Sequence, residues 1–275
     1  MDVTFGIITA GDADDRINRI IDSIEYLEIP KYEVLIIGNA KVKRVNTRVI
    51  EFTEMLNGQG WITKKKNLII YEANYEVIVF MHDYFIFCTD WFTHLKNSKS
   101  FDVAMSAITG PNGERYRDWV IWPHNENVLD LLVVGHRCLI PYDIDYLTEF
   151  MYISGAFWIS TKRFMSENLL NESLMAGDGE DVEWSLRIRN SAKIVMLNHT
   201  RVLSLKANPI VFYGPGRIRE SVIRLAKFQF FKSIMGKPVR PRTISKFRSF
   251  AELCIALTRK FGSFISLLRR KSRIE

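Results

Sequence analysis

Short uncharged runs alternate along this chain with longer segments in which apolar residues recur every three or four positions. Residues 3–9, VTFGIIT, predict a first strand. Residues 14–27 carry Ile17, Ile20, Ile21, Ile24 and Leu27 at helical spacing, and Pro30 ends the segment. Asp12, Asp14 and Asp15 stand near its start, where negative charge is favoured by the helix dipole. Residues 32–37, YEVLII, predict a second strand ending on Gly38-Asn39. Strand, amphipathic helix, strand is a βαβ unit, so the two strands are expected to be parallel. Residues 42–52 hold a short third strand candidate, residues 57–60 a loop, and residues 63–74 a helix with Thr63 at its N-cap.

The organising stretch is residues 77–85, VIVFMHDYF. It starts as β-branched and aromatic residues without charge, the pattern of a strand buried on both faces of a parallel sheet. It then turns polar at His82, Asp83 and Tyr84, which places those groups at the strand's carboxyl end. In open α/β sheets ligands bind in the crevice outside those ends. Farther on, the pattern predicts a short helix over 90–96, a strand over 102–109 and a turn at Gly110-Pro111-Asn112-Gly113. Residues 152–161, YISGAFWIST, predict a strand with Gly155 inside it, as where a ligand or another backbone approaches closely. A loop at 175–179 leads to a helix over 180–190, on which Glu183 and Arg187 form a surface pair and Asp181, Trp184, Ser185 and Ile188 share the other side. A short strand over 193–197 follows, with His199 just past its end.

Composition narrows the class. The 275 residues are 47% hydrophobic and 25% charged, the balance of a soluble globular protein with room for one large domain and an appendage. Cys88, Cys138 and Cys254 are widely spaced and odd in number, which fits no metal-ligand pattern and points to a reducing compartment. The N-terminus enters a strand almost at once, without a secretory signal pattern, and no apolar run reaches bilayer length.

The polar groups concentrate in a few places. His82 and Asp83 can hold a divalent metal through nitrogen and oxygen, or simply end the strand by bonding nearby backbone. Lys64, Lys65 and Lys66 oppose the dipole of their helix, so they form either a solvated basic face or a phosphate contact. Arg115-Tyr116-Arg117-Asp118-Trp119 carries groups suited to a sugar or an anion, or else a hairpin edge with exposed charges. Glu180 and Asp181 open a helix after a Gly-Asp-Gly loop, either as candidates for proton transfer or as favourable first-turn acids.

In order and spacing these motifs resemble the GT-A fold glycosyltransferases, especially those like family 2, over residues 3–205. The resemblance implies an α/β fold: a single Rossmann-like, mostly parallel sheet flanked by helices, with a C-terminal helical extension. By that resemblance Thr9, Ala10, Gly11 and Asn39 line the nucleotide pocket, and Lys66-Asn67 match a basic-residue-plus-Asn element before the metal strand. His82-Asp83-Tyr84 stand in for the DxD motif that holds Mn²⁺ or Mg²⁺ against the diphosphate, with His199 as a late metal ligand. Gly179-Glu180-Asp181 match the Glu-Asp motif, with Asp181 in the base position and Glu180 beside it. Arg117, Asp118, Trp119, Gly155 and Trp184 are the substrate candidates. Tyr84 departs from the pattern, because the last acid of that motif is generally the principal metal ligand. The implied reaction is transfer of a hexose from a nucleotide sugar, by default UDP-linked, to a hydroxyl of a glycan or lipid-linked acceptor in surface polysaccharide synthesis, with inversion.

After residue 208 the character changes, so residues 1–208 are expected to be the catalytic domain and 209–275 a helical, basic, amphipathic extension. Residues 217–235 predict one helix. Residues 244–268 predict another, with Phe247, Phe250, Ala251, Cys254, Leu257, Phe261, Phe264, Ile265 and Leu268 as its stripe and many basic residues around them. Such a helix suits a membrane surface, giving a cytoplasmic protein peripheral on the inner face, or else a packing surface against the catalytic domain or a second copy in a homodimer. The aromatics form a stripe for burial rather than a stacking platform, which speaks against nucleic acid. Two other function classes stay open: a sugar nucleotidyltransferase, which the acidic single-glycine turn after the first strand disfavours, and a non-catalytic nucleotide- or sugar-binding protein, which Tyr84 keeps in play.

Overall fold

The computed structural model describes residues 1–54, 60–121, 142 and 151–206. The expected helices over 217–235 and 244–268, and with them the C-terminal extension, lie outside the described residues.

The first βαβ unit forms as its pattern requires. Strand β1 (Val3–Ile8) is buried along its whole length, helix α1 (Asp14–Glu25) buries Ile17, Ile20, Ile21 and Ile24, and strand β2 (Tyr32–Ile37) pairs in parallel with β1. Strand β3 (Thr47–Ile50) adds to β2, also in parallel, and is shorter than the 42–52 window. Helix α2 (Ile62–Glu72) leads into strand β4 (Val77–His82), which lies parallel to β1 on its other side. Thr63 is not the cap of α2. Trp61 holds that position, and the Thr63 hydroxyl donates instead to the Leu174 carbonyl at 2.8 Å.

The chain then turns at Asp83-Tyr84 into strand β5 (Phe85–Phe87), followed by helix α3 (Trp91–Lys96), strand β6 (Val103–Thr109) and strand β7 (Trp119–Ile121). The single strand expected over 152–161 is two: β8 (Met151–Ile153) pairs with β7 in a separate ribbon, and β9 (Phe157–Thr161) enters the main sheet between β4 and β6. The break falls at Gly155 because side chains claim both of its backbone groups. Its N–H donates to Asp181 and its carbonyl accepts from Lys66, so neither joins a ladder. Helices α4 (Lys162–Glu167) and α5 (Glu180–Ile188) follow, then strand β10 (Ile194–Ser204). β10 is far longer than the expected 193–197. It contains His199 within an irregularity between Leu197 and Arg201 rather than ending before it.

Among the described residues the main sheet runs β3-β2-β1-β4-β9-β6-β10-β5. Pairings are parallel from β3 to β4 and between β6 and β10; β9 and β5 run antiparallel to their neighbours. The carboxyl ends of β1, β2, β4, β6 and β10 therefore share one edge with the start of β9. Every chemistry-bearing loop taken up below opens at that edge. The core beneath it is aromatic: Phe5, Phe85, Phe87, Trp91 and Phe157 meet at centroid distances of 4.7 to 6.0 Å, mostly edge to face.

Candidate active site

The nucleotide-side candidates do come together. Thr9, buried, follows the end of β1, and the exposed Ala10 and part-buried Gly11 continue the turn. Gly38, past the end of β2, has φ of 136°, and a Cβ there would overlap the Thr9 carbonyl oxygen, so the two strand ends close on each other only with glycine at this position. Asn39 is exposed next to it, and its Cβ and carbonyl oxygen flank Gly11 at 3.7 and 3.6 Å from where a side chain would begin.

Asp83 lies just past the end of β4, facing this turn. Its Oδ2 accepts from the Thr9 hydroxyl at 2.7 Å and from Arg16 Nη2 at 3.3 Å, and its carbonyl accepts from Arg16 Nε at 3.2 Å. The part-buried Arg16–Asp83 ion pair thus ties the first turns of α1 to the β4 motif. Arg16 had no motif to mark it in sequence; a single cation among the acids that open α1 was its one trace.

Lys65 and Lys66 do not form a solvated basic face. They are only 3% and 1% exposed. The Lys65 ammonium donates to the Thr9 carbonyl at 2.7 Å and pairs with Glu54. Lys66 donates to the Gly155 carbonyl at 2.8 Å, lies 4.0 Å from Glu180 Oε1 and sits 4.6 Å over the Trp158 ring. Burial lowers the Lys66 pKa, while Glu180 and Asp181 hold it up. Asn67 faces elsewhere. Its amide exchanges hydrogen bonds with the Leu170 carbonyl and N–H, both at 3.0 Å, so it anchors the 170–172 segment rather than reaching the pocket.

Asp181 stands in the first turn of α5, at the other side of the same edge. Its Oδ2 accepts the Gly155 N–H at 2.8 Å and its Oδ1 accepts the Val182 N–H at 2.9 Å. One residue on, the Ala156 carbonyl accepts the His82 N–H at 3.1 Å. Two residues, Gly155 and Ala156, thus couple the end of β4 to the head of α5. Glu180 is buried, and burial raises its carboxyl above the ordinary range, with Asp181 adding to the rise and Lys66 opposing it.

His82 lies among cations. Burial pushes its pKa well below the ordinary histidine value, and the charges of Lys66, Arg117, Lys206 and Lys65 push the same way. Tyr84, raised by burial and by Tyr116, stays a neutral phenol; its ring centroid is 5.4 Å from that of His82, and the Lys206 ammonium lies 4.5 Å over it. Lys206, just past β10, escaped the sequence reading because only the full length of that strand carries it to this edge. Arg117 enters from the connection between β6 and β7. Its buried Nε has no hydrogen-bond partner among the described residues. Burial acts to lower its pKa, but Tyr152 and Asp181 more than offset that.

The other substrate candidates are structural. Asp118 is fully buried, accepting from the Ile108 N–H, Arg115 and the Tyr142 hydroxyl. Trp119 and Trp184 are buried, with their indole N–H groups on the Met105 and Asn168 carbonyls. Both rings are almost wholly removed from solvent.

A hard divalent cation needs several oxygen or nitrogen donors on one centre. Among the described residues no group of three or more His, Cys, Asp or Glu side chains is arranged to hold one. His199 does not join His82 and Asp83: it is exposed, and its ring lies 5.6 Å from that of His94 on α3. The Asp83 carboxylate is already engaged by Thr9 and Arg16. The residues present therefore do not fit the three-ligand metal site expected from the motif.

No protein-family profile matches the chain, and no curated protein matches it in sequence. Solved structures do. S. aureus TarS 1-349 is similar at 12% identity with a TM-score of 0.52, over 74% of this chain and 60% of that one. GalNAc-T7, solved with UDP, GalNAc and Mn²⁺, is similar at 12% identity with a TM-score of 0.52, over 77% of this chain and 45% of that one. The chain thus spans less than two thirds of either structure. The sheet order, the flanking helices and these neighbours agree: this chain has the GT-A-type fold of the nucleotide-sugar glycosyltransferases.

Proposed function

We propose that the protein is a nucleotide-sugar-dependent glycosyltransferase that moves a hexose, by preference from a UDP-linked donor, to an acceptor hydroxyl with inversion. The observation that carries this reading is the Asp181 carboxylate. It is fixed at the head of α5 by the Gly155 and Val182 amides and lies across the strand ends from the Thr9-Gly11-Asn39 turn. A carboxylate held by two amides keeps its position and remains able to accept a proton. In the step we assign to it, the acceptor oxygen bonds to the anomeric carbon as its proton passes to Asp181. The bond from that carbon to the diphosphate breaks, and its electron pair leaves with the diphosphate. UDP is chosen because the similar GalNAc-T7 structure holds it.

A glycan or lipid-linked acceptor, a place in surface polysaccharide synthesis and peripheral attachment at the inner face of a membrane extend the same reading. The acceptor and pathway rest on the family resemblance, and the membrane attachment on the basic amphipathic pattern of residues 244–268, for which packing on the catalytic domain or on a second copy is the less favoured alternative. Among the described residues no helix is long and apolar enough to cross a membrane.

The test is a panel of nucleotide sugars scored for donor consumption and sugar transfer, with Asp181→Asn alongside. The variant keeps the shape but cannot take the proton, so transfer should fall by about a hundredfold or more at near-normal donor affinity. Unchanged turnover in Asp181→Asn, or no donor consumed by the intact protein, would overturn the reading.

A further inference from the structure

We propose that the diphosphate of the donor is held, and its leaving charge neutralised, by Arg117 and Lys206 around the His82–Tyr84 turn, in place of a divalent cation on the β4 motif. Only the naming of the anion as part of a nucleotide sugar rests on the glycosyltransferase reading; the anion site itself stands on the geometry.

Four observations carry it. The one carboxylate of the motif, Asp83, is neutralised by Arg16 and capped by the Thr9 hydroxyl, so its charge is already answered within the protein. The position expected to supply the second acid is Tyr84, which carries a phenol in place of a carboxylate. Four cations line the turn, and a dication brought there would meet them as repulsion: the Lys206 ammonium lies 4.5 Å over Tyr84, Lys66 bonds the Gly155 carbonyl next to the residue that accepts the His82 N–H, Lys65 bonds the Thr9 carbonyl, and Arg117 follows Tyr116, whose ring is 6.0 Å from that of Phe85. Two of the four are tied down, Lys66 on the Gly155 carbonyl and Lys65 on the Thr9 carbonyl and Glu54. The other two keep donor capacity among the described residues: Arg117, on whose charge Asp181 and Glu180 act but whose buried Nε has no hydrogen-bond partner, and Lys206, exposed over the face of Tyr84. A guanidinium matches a phosphate with two parallel N–H donors, and an ammonium adds a mobile point charge. Aimed at the oxygens on which charge develops, such groups act as a fixed electrostatic stabiliser of the leaving group. They come from the β6–β7 connection and the end of β10, which meet the β4 turn only because these strands end at one edge of the sheet.

The full-length protein is titrated calorimetrically with inorganic pyrophosphate, UDP and uridine, each in excess chelator and again with Mn²⁺. Pyrophosphate and UDP should bind in chelator, weaken steeply with salt, and tighten less than threefold with Mn²⁺. Arg117→Gln and Lys206→Gln should each weaken both by about tenfold while leaving uridine unchanged, and Arg163→Ala, on an exposed surface of α4, should bind as the parent does. Lys206 is exposed, so its variant tests the site even if Arg117→Gln fails to fold. Pyrophosphate and UDP bound only with Mn²⁺, or bound equally by the parent and Lys206→Gln, would overturn the proposal. Sugar transfer that demands Mn²⁺, together with unchanged pyrophosphate binding in the variants, would remove the cation site and leave the glycosyltransferase intact. Chelator-resistant, Arg117- and Lys206-dependent pyrophosphate binding in a protein that consumes no nucleotide sugar would do the reverse.

Discussion

The Gly155 amide donates to Asp181 Oδ2 at 2.8 Å, while its carbonyl accepts the buried Lys66 ammonium at the same distance. One peptide-bearing residue thus orients the carboxylate assigned to proton transfer and satisfies a cation that would otherwise be buried alone. The expected consequences of disturbing this pair can be stated residue by residue.

Gly155→Ala should damage the site more than the fold. A Cβ there would stand 2.9 Å from Glu180 Oε1, 3.1 Å from the Asp181 Cβ and 3.2 Å from Asp181 Oδ2. Glu180 and the head of α5 must shift to admit it, at a cost of about 1–3 kcal/mol. Urea unfolding should register that modest loss, while sugar transfer should drop by at least tenfold because Asp181 is displaced. Parental activity in this variant would mean that the Asp181 position is not critical.

Lys66→Met keeps the length of the side chain and removes its charge. The Gly155 carbonyl loses its donor, and Glu180 loses the cation 4.0 Å away. Breaking a buried pair from one side should cost about 3 kcal/mol. Adding Glu180→Gln removes the stranded charge, so the double variant should recover part of the loss. A double-mutant cycle in denaturant unfolding measures this, and strict additivity would show that the two side chains are not coupled.

Glu180 also sets an expected pH dependence. Its carboxyl is raised by burial above the ordinary value of 4.5. Below 4.5 the folded and unfolded states both carry the proton, and this residue contributes no difference. As pH rises past that value the unfolded chain ionises first and binds fewer protons, so stability declines until the folded carboxyl has titrated as well. Glu180→Gln should flatten this descending limb in a series of urea midpoints across pH 4 to 7. An identical slope in parent and variant would show that the folded carboxyl is not raised.

Much of the frame was legible in the chain. The isoleucines of α1 and the uncharged runs of β1, β2 and β4 are local patterns, and each element forms where its period predicts. The motif order also anticipated the fold, since a βαβ start followed by a polar strand end constrains topology. Local pattern failed where a long-range partner decided the outcome. Residues 152–161 read as one strand, yet the side chains of Lys66 and Asp181 take the Gly155 backbone and split it. Lys64, Lys65 and Lys66 look alike in sequence, yet two are buried against carbonyls of other elements. Trp119, Trp184 and Asp118 have the chemistry of substrate contacts, but their polar atoms are satisfied within the protein.

Hydrophobic pattern and boundary residues were enough to place the strands and helix of the first βαβ unit, the polar end of β4 and the acidic head of α5. Each depends on hydrophobic period and on the few residues that begin or end an element. Which charges meet follows from the folded arrangement alone. His199 falls inside β10 against His94, while Arg16, Arg117 and Lys206 gather around the His82–Tyr84 turn from helices and strands far apart in the chain. Ion pairing and charge neutralisation act through space over a few ångströms, and sheet order, which no local period encodes, sets those distances.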